Sequence, residues 1–264
     1  MIPGVEITKT FAIGPIHFNA LFVTDPEALN VPDLNESLRR AAAQGAFVFW
    51  NHPGWQVPKI EWFPAVAAAY QEKLFQGMEV VNGAEFYPDA YPWIAERELT
   101  ILSNSDQHGP IPPRSVGGIR PITLLFAHTR DAAGVREALT TRRTAAWMGN
   151  DVWGADEFLQ GLWQGAVQIE NPDLKGRPGT PLTIRVRNTS AIPFRLIVRR
   201  APSWLRMEGG FIAAEGESSL FPYLAPDAPT GVEHAEMELE ILNFHTRPGR
   251  NLMVRLPLVV NVVP

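Results

Sequence analysis

Residues 99–109, LTILSNSDQHG, decide how this chain is read. Leu99 to Leu102 is an apolar run of β-type residues, Ser103-Asn-Ser105 is a polar turn, and Asp106 and His108 follow two residues apart. Successive strand residues alternate sides, so positions i and i+2 share one. The pattern therefore predicts a carboxylate and an imidazole leaving a strand end together, half of a metal site. The same grammar recurs upstream in Phe47-Val-Phe-Trp-Asn-His-Pro-Gly54, where an apolar run leads to His52. Strand ends that deliver ligands to one place are a feature of barrels and open α/β sheets, at the carboxyl edge of the strands.

Around these two segments strand and helix alternate. Asp33 with Glu36 three residues on predicts a capped helix to about Gln44, ended by Gly45. Trp62 to Phe75 is helical in pattern and is expected to stop at Gly77. Asp89 to Glu98 predicts a short helix that Pro92 restricts to an early start, and Asp131 to Thr141 another. Gly4–Thr8, Ile16–Val23, Met78–Asn82, Ile122–Ala127 and Thr144–Trp147 read as strands. This alternation predicts parallel β/α units over residues 1–165. After Trp163 the helical period disappears, and Leu182-Thr-Ile-Arg-Val-Arg-Asn188 and Met237-Glu-Leu-Glu-Ile241 alternate apolar and polar residues strictly. Half-buried antiparallel strands in a small all-β sandwich over 166–264 are the expectation.

Composition narrows the chemistry. A net charge of −5, with no basic cluster longer than a pair, gives no footprint for nucleic acid or an anionic membrane. With no cysteine, disulfides and thiolate metal sites are excluded, so any metal sits among His, Asp and Glu. No stretch approaches the roughly 18–20 apolar residues of a membrane span. Met1-Ile-Pro-Gly-Val-Glu6 is not a signal peptide. Neither export nor the cytoplasm is favoured.

The order Gly4-Val-Glu6-Ile, His17 eleven residues on, Asn51-His52-Pro53, then Ser105-Asp106-Gln-His108 resembles the PHP (polymerase and histidinol phosphatase) superfamily of metal-dependent phosphoesterases. Arg120-Pro-Ile-Thr-Leu-Leu-Phe-Ala127, Arg136-Glu-Ala-Leu139, Arg142-Arg-Thr144 and the trailing β-domain are similar to an Sb-PDE-like group with a C-terminal β-sandwich. The resemblance implies an α/β fold, the C-terminal part of a distorted (β/α)7 barrel followed by that sandwich. It also implies two or three divalent metals, with Zn, Mn and Fe not distinguished. Glu6 matches the carboxylate between two metals, His17 and His52 match ligands of the second, and Asp106 a ligand of the first. His108 matches either a third-metal ligand or a phosphate contact, so that Asp106 and His108 are the implied catalytic pair. The implied reaction is metal-assisted hydrolysis of a phosphomonoester or phosphodiester in a phosphorylated small molecule, a chemistry that a metal pair suits.

The family's barrel opens on a His-x-His strand, and this sequence holds none; its other histidines are His128, His234 and His245. The expectation is therefore a chain lacking an N-terminal half, with the Glu6, His17 and His52 trio kept, weak metal binding and little turnover alone. The alternative is a non-catalytic binding or assembly module derived from such an enzyme. An amidohydrolase-type metal site would call for a strand-borne lysine, and Lys59 and Lys73 are poorly placed for it. Arg114 and Arg120, flanking the loop after His108, are candidates for binding phosphate. Glu79 and Asn82 end another strand, either as support for a ligand or as a loop-facing pair. Trp50, Trp55 and Trp62 lie near His52 in sequence, as core or as pocket wall.

Overall fold

In the computed structural model, which describes residues 1–110 and 120–264, Gly4–Phe11 (β1) and Gly14–Leu21 (β2) form an antiparallel hairpin. Leu34–Ala43 (α1) follows, with Asp33 as its cap: the Asp33 carboxylate accepts the Glu36 amide at 2.7 Å. Glu36 does not complete the reciprocal half of the capping box but turns to Arg40 at 2.8 Å. Phe47–Trp50 (β3), Pro64–Gln71 (α2), Gly77–Asn82 (β4), Glu85–Phe86 (β5), Tyr91–Glu96 (α3) and Thr100–Asn104 (β6) complete a mixed sheet and its cover. Ile122–Leu125 (β7), Ala132–Thr140 (α4) and Thr144–Met148 (β8) follow.

The sheet is not parallel throughout. β2 pairs antiparallel with both β1 and β3, and only β3, β4 and β6 run parallel. Ala12 and Ile13 alone separate β1 from β2, and so short a link forces the hairpin. The continuous apolar run of β3 is buried along its whole length because both faces are covered. Val48 and Trp50 join Ile16, Phe18, Leu38 and Val66 beneath α1 and α2. Phe47 and Phe49 point the other way, to Phe22, Leu102 and Leu139 of α4. Beyond β6, hydroxyls link the sheet to the antiparallel β7–β8 pair. Thr123 Oγ1 accepts the Ser103 amide and donates to the Ser103 carbonyl, both at 2.9 Å, and Thr144 Oγ1 donates to the Ile101 carbonyl at 2.7 Å.

Four helices end alike. After α1, α2, α3 and α4 the residues Gly45, Lys73, Glu98 and Arg142 adopt left-handed φ values of 71°, 58°, 52° and 60°. The next amide reaches back to the helix each time, as from Leu74 to the Ala69 carbonyl at 3.0 Å. The second helix thus stops at Gln71, well before the Gly77 that sequence suggested as its terminator.

The chain divides into two compact units, Met1–Gly149 and Asn150–Pro264. The division precedes the expected one at residue 165 because Asp156–Ala166 is a helix that packs within the second unit: Trp163 meets Phe194 edge-on at 5.2 Å, and Gln160 donates to the Met253 carbonyl at 2.6 Å. That unit comprises Asp151–Gly154 (β9), the helix (α5), Val167–Ile169 (β10), Asp173–Gly176 (β11), Ile184–Asn188 (β12), Phe194–Arg200 (β13), Leu205–Arg206 (β14), Gly209–Ile212 (β15), Gly216–Leu220 (β16), Tyr223–Leu224 (β17), Gly231–Arg247 (β18) and Arg250–Val262 (β19). One sheet runs β11–β19–β18–β13–β15, with β9 also along β18, and a second runs β10–β12–β16. β12 and the Met237–Ile241 part of β18 alternate more and less buried residues as their sequences predict.

Candidate metal centre

Antiparallel pairing sets Glu6 and His17 side by side. Glu6 lies opposite Asn19 and Thr8 opposite His17, so Glu6 and His17 are diagonal neighbours on one face of the hairpin. That face is the one opposite Ile16 and Phe18, and it leaves both polar side chains out of the apolar core. Because β2 runs against β3, the start of β2 lies beside the end of β3, and the Asn51 amide donates to the His17 carbonyl at 2.9 Å. His52, one residue further on, turns its ring toward the hairpin. Its φ is +21°, a region that side chains other than glycine rarely adopt.

The three side chains converge. Glu6 Oε1 hydrogen-bonds His17 Nδ1 and lies 3.8 Å from His52 Nε2. The imidazole centroids are 4.7 Å apart, and one ligand atom from each of the three residues falls within 4.8 Å of the others. His17 Nε2 is buried without a hydrogen-bond partner. Such an orphaned nitrogen beside a carboxylate and a second imidazole fits a divalent ion that takes nitrogen and oxygen ligands. The hydrogen bond from His17, followed by that from His52, holds the Glu6 carboxyl well below the usual carboxylate range. At His52, burial favours the neutral ring, but the bond to Glu6 and the charges of Glu79 and Asp106 outweigh it and raise its pKa.

Trp55 lies over this group. Its ring meets His17 at 5.0 Å and His52 at 5.4 Å, both edge-on, and 41% of its surface is exposed. Trp50 and Trp62 instead belong to an aromatic core with Trp93, where Trp50 stacks on Trp93 at 6.0 Å.

The remaining expected residues are placed less closely. β6 ends at Asn104, so Asp106 and His108 lie in the loop beyond it and not on a strand face, and Asp106 has a φ of +49°. Asp106 Oδ2 stands 4.0 Å from His52 Nε2, at the rim of the trio. His108 bonds Asp106 at 3.2 Å but is 82% exposed and stays outside the cluster. Arg120 is exposed and makes no ion pair among the described residues, and Arg114 lies outside them. Lys59 pairs with Glu61 on the surface, His128 contacts Arg143, and His245 bonds Asp151 and Asn251 in the second unit.

Beneath the trio sits Glu79, 1% exposed. Its Oε2 accepts the His52 amide at 2.7 Å and Asn82 Nδ2 at 2.9 Å, and its Oε1 accepts Asn104 Nδ2 at 2.7 Å. Burial pushes its carboxyl upward, against the pull of the three donors. The polar ends of β3, β4 and β6 thus meet on one carboxylate. Sequence placed Glu79 and Asn82 at a strand end; Asn104 drew no attention there, although it closes the run that leads to Asp106.

No protein-family model and no curated protein matches the sequence. Among solved structures, a two-domain protein from Bacteroides vulgatus ATCC 8482 containing a predicted PHP-like metal-dependent phosphoesterase is 32% identical. It aligns over 97% of this chain and 74% of its own, with a TM-score of 0.84. An MSP family member from C. elegans (16% identity, 37% of this chain and 98% of that one) and a protein of unknown function from Porphyromonas gingivalis W83 (20%, 38% and 48%) reach a TM-score of only 0.28, too low to carry an argument. With two imidazoles and a carboxylate gathered on the hairpin and its neighbouring strand end, this chain belongs to the PHP-like metal-dependent phosphoesterases.

Proposed function

We propose that this chain hydrolyses phosphomonoesters or phosphodiesters of small molecules at the Glu6, His17 and His52 centre, and that its first unit is the later part of a (β/α)7 barrel followed by a β-sandwich. The observation that carries the reading is the convergence of these three side chains within 4.8 Å beside a buried nitrogen that has no partner. A divalent ion bound there supplies Lewis acidity toward phosphoryl oxygens and toward water.

The chain's own residues do the rest. Glu6 stays ionised across the physiological range, because His17 and His52 hold its pKa down, and it offsets the charge of the ion. Trp55 covers the imidazoles and keeps bulk water from one side of them. Asp106, at 4.0 Å from His52, extends the ligand set, and His108 beside it contacts the phosphate. Arg120, and Arg114 with it, neutralise the remaining phosphate charge. The sequence contains no His-x-His pair, so turnover by the chain alone is expected to be slow.

The test is hydrolysis of p-nitrophenyl phosphate and bis-p-nitrophenyl phosphate by the chain supplied with Zn2+, Mn2+ or Fe2+. The reading expects hydrolysis above the metal-only blank that disappears in His52→Ala. Metal uptake with no hydrolysis above the blank under any of the three would refute it and leave a binding module.

A further inference from the structure

Glu79 is the only carboxylate less than a tenth exposed among the described residues. A buried ionisable group needs a compensating role, because desolvation costs several kcal/mol unless it is well bonded. Its three bonds go to the ends of three neighbouring strands: the His52 amide after β3, Asn82 at the end of β4 and Asn104 at the end of β6. The first of these pins a backbone that φ of +21° would otherwise leave unfavourable. The last fixes the strand end that leads to Asp106. Both Glu79 oxygens accept from these donors, so its hydrogen bonds touch the trio only through the His52 backbone.

We propose that Glu79 is a positioning residue for the metal centre, holding His52 turned toward Glu6 and His17. The proposal rests on the reading that this trio binds a metal, and it predicts an effect on the site that passes through His52. Glutamine at this position keeps the volume but presents an amide N–H where an acceptor is needed, so one of the three donors loses its partner.

Co2+ titration of the full chain, followed by visible absorption and with far-UV circular dichroism as the check of folding, tests it. Glu79→Gln is expected to stay folded, to bind Co2+ about 10–100-fold more weakly and to change the shape of the d–d band, the loss usual when support of a ligand is removed. In a His52→Ala background the same substitution is expected to change Co2+ affinity less than twofold. Wild-type affinity and spectrum in Glu79→Gln, or an undiminished loss in the His52→Ala background, would overturn the proposal. Should Glu79→Gln fail to fold, Asn104→Ala removes one bond and keeps the carboxylate. A weakened Co2+ affinity there supports the proposal and an unchanged one overturns it. A wild-type chain that takes up no Co2+ overturns the metal reading itself, and this proposal with it.

Discussion

Gly54 lies between His52 and Trp55, and replacing it by alanine tests whether the loop's packing sets the site. The His52–Trp55 turn is closed by the Trp55 amide on the His52 carbonyl at 2.9 Å. A Cβ at Gly54 would stand 2.8 Å from Tyr87 Cε1 and 3.0 Å from Ile60 Cδ1. Carbon atoms rest at about 3.5–4.0 Å, so the loop and the tyrosine must part by roughly 0.7 Å or more. The isoleucine tip can give, but the tyrosine cannot. Tyr87 is 5% exposed, its hydroxyl donates to Glu85 at 3.0 Å, and its amide is bonded to the Val80 carbonyl at 2.8 Å. Overpacking of this kind costs about 1–3 kcal/mol, and each kcal/mol lowers the melting temperature of a unit this size by about 2–4 °C. Displacing the loop also swings His52 away from Glu6, so Co2+ affinity should fall about tenfold, the lower end for a disturbed ligand. Thermal melting and Co2+ titration of Gly54→Ala measure both. A melting temperature within a degree of wild type together with unchanged affinity would refute the packing argument.

Four further outcomes follow from the same geometry. Lys73→Gly relieves a left-handed residue at the end of α2, where Lys73 makes no ion pair among the described residues, and should stabilise the chain by about 0.5–1 kcal/mol in urea unfolding. The Glu6 pKa is lowered in the folded state, so its contribution to stability is present above the unfolded value near 4.5 and is lost as pH falls through the folded value; Glu6→Gln should flatten the acid limb of the metal-free chain's melting curve. The raised His52 pKa acts in the opposite sense on binding: protons compete with the ion, and Co2+ affinity should climb as pH passes through and beyond about 6.5. Finally, Trp55 meets His17 and His52 edge-on, so stoichiometric Co2+ should quench part of the emission, and Trp55→Phe should abolish that quenched fraction and leave the rest of the emission unchanged.

Local rules carried much of the fold. The Asp33 cap, the Gly45 stop, the strands around His52 and Glu79 and the alternating strands of the second unit were legible because each rests on contacts a few residues apart. The end of the second helix was not, because Lys73, with no glycine to announce it, takes the left-handed position. Strand direction was equally hidden: alternation of helix and strand suggested parallel units, and the two-residue link between β1 and β2 reversed the hairpin. That reversal is what brings His17 beside His52. The i, i+2 spacing of Asp106 and His108 predicts strand-end neighbours sharing a side. β6 stops two residues before Asp106 and four before His108, so their meeting depends on loop geometry that no periodicity encodes. Asn104 escaped notice because a neutral amide carries no signal until the carboxylate it serves is located in space.

The most direct test of the central claim is anomalous X-ray diffraction from crystals of the chain grown with Zn2+, collected on either side of the zinc edge. An anomalous peak with Glu6, His17 and His52 at about 2.0–2.2 Å is expected. A peak elsewhere, or none at that trio while the protein is otherwise well ordered, would contradict it.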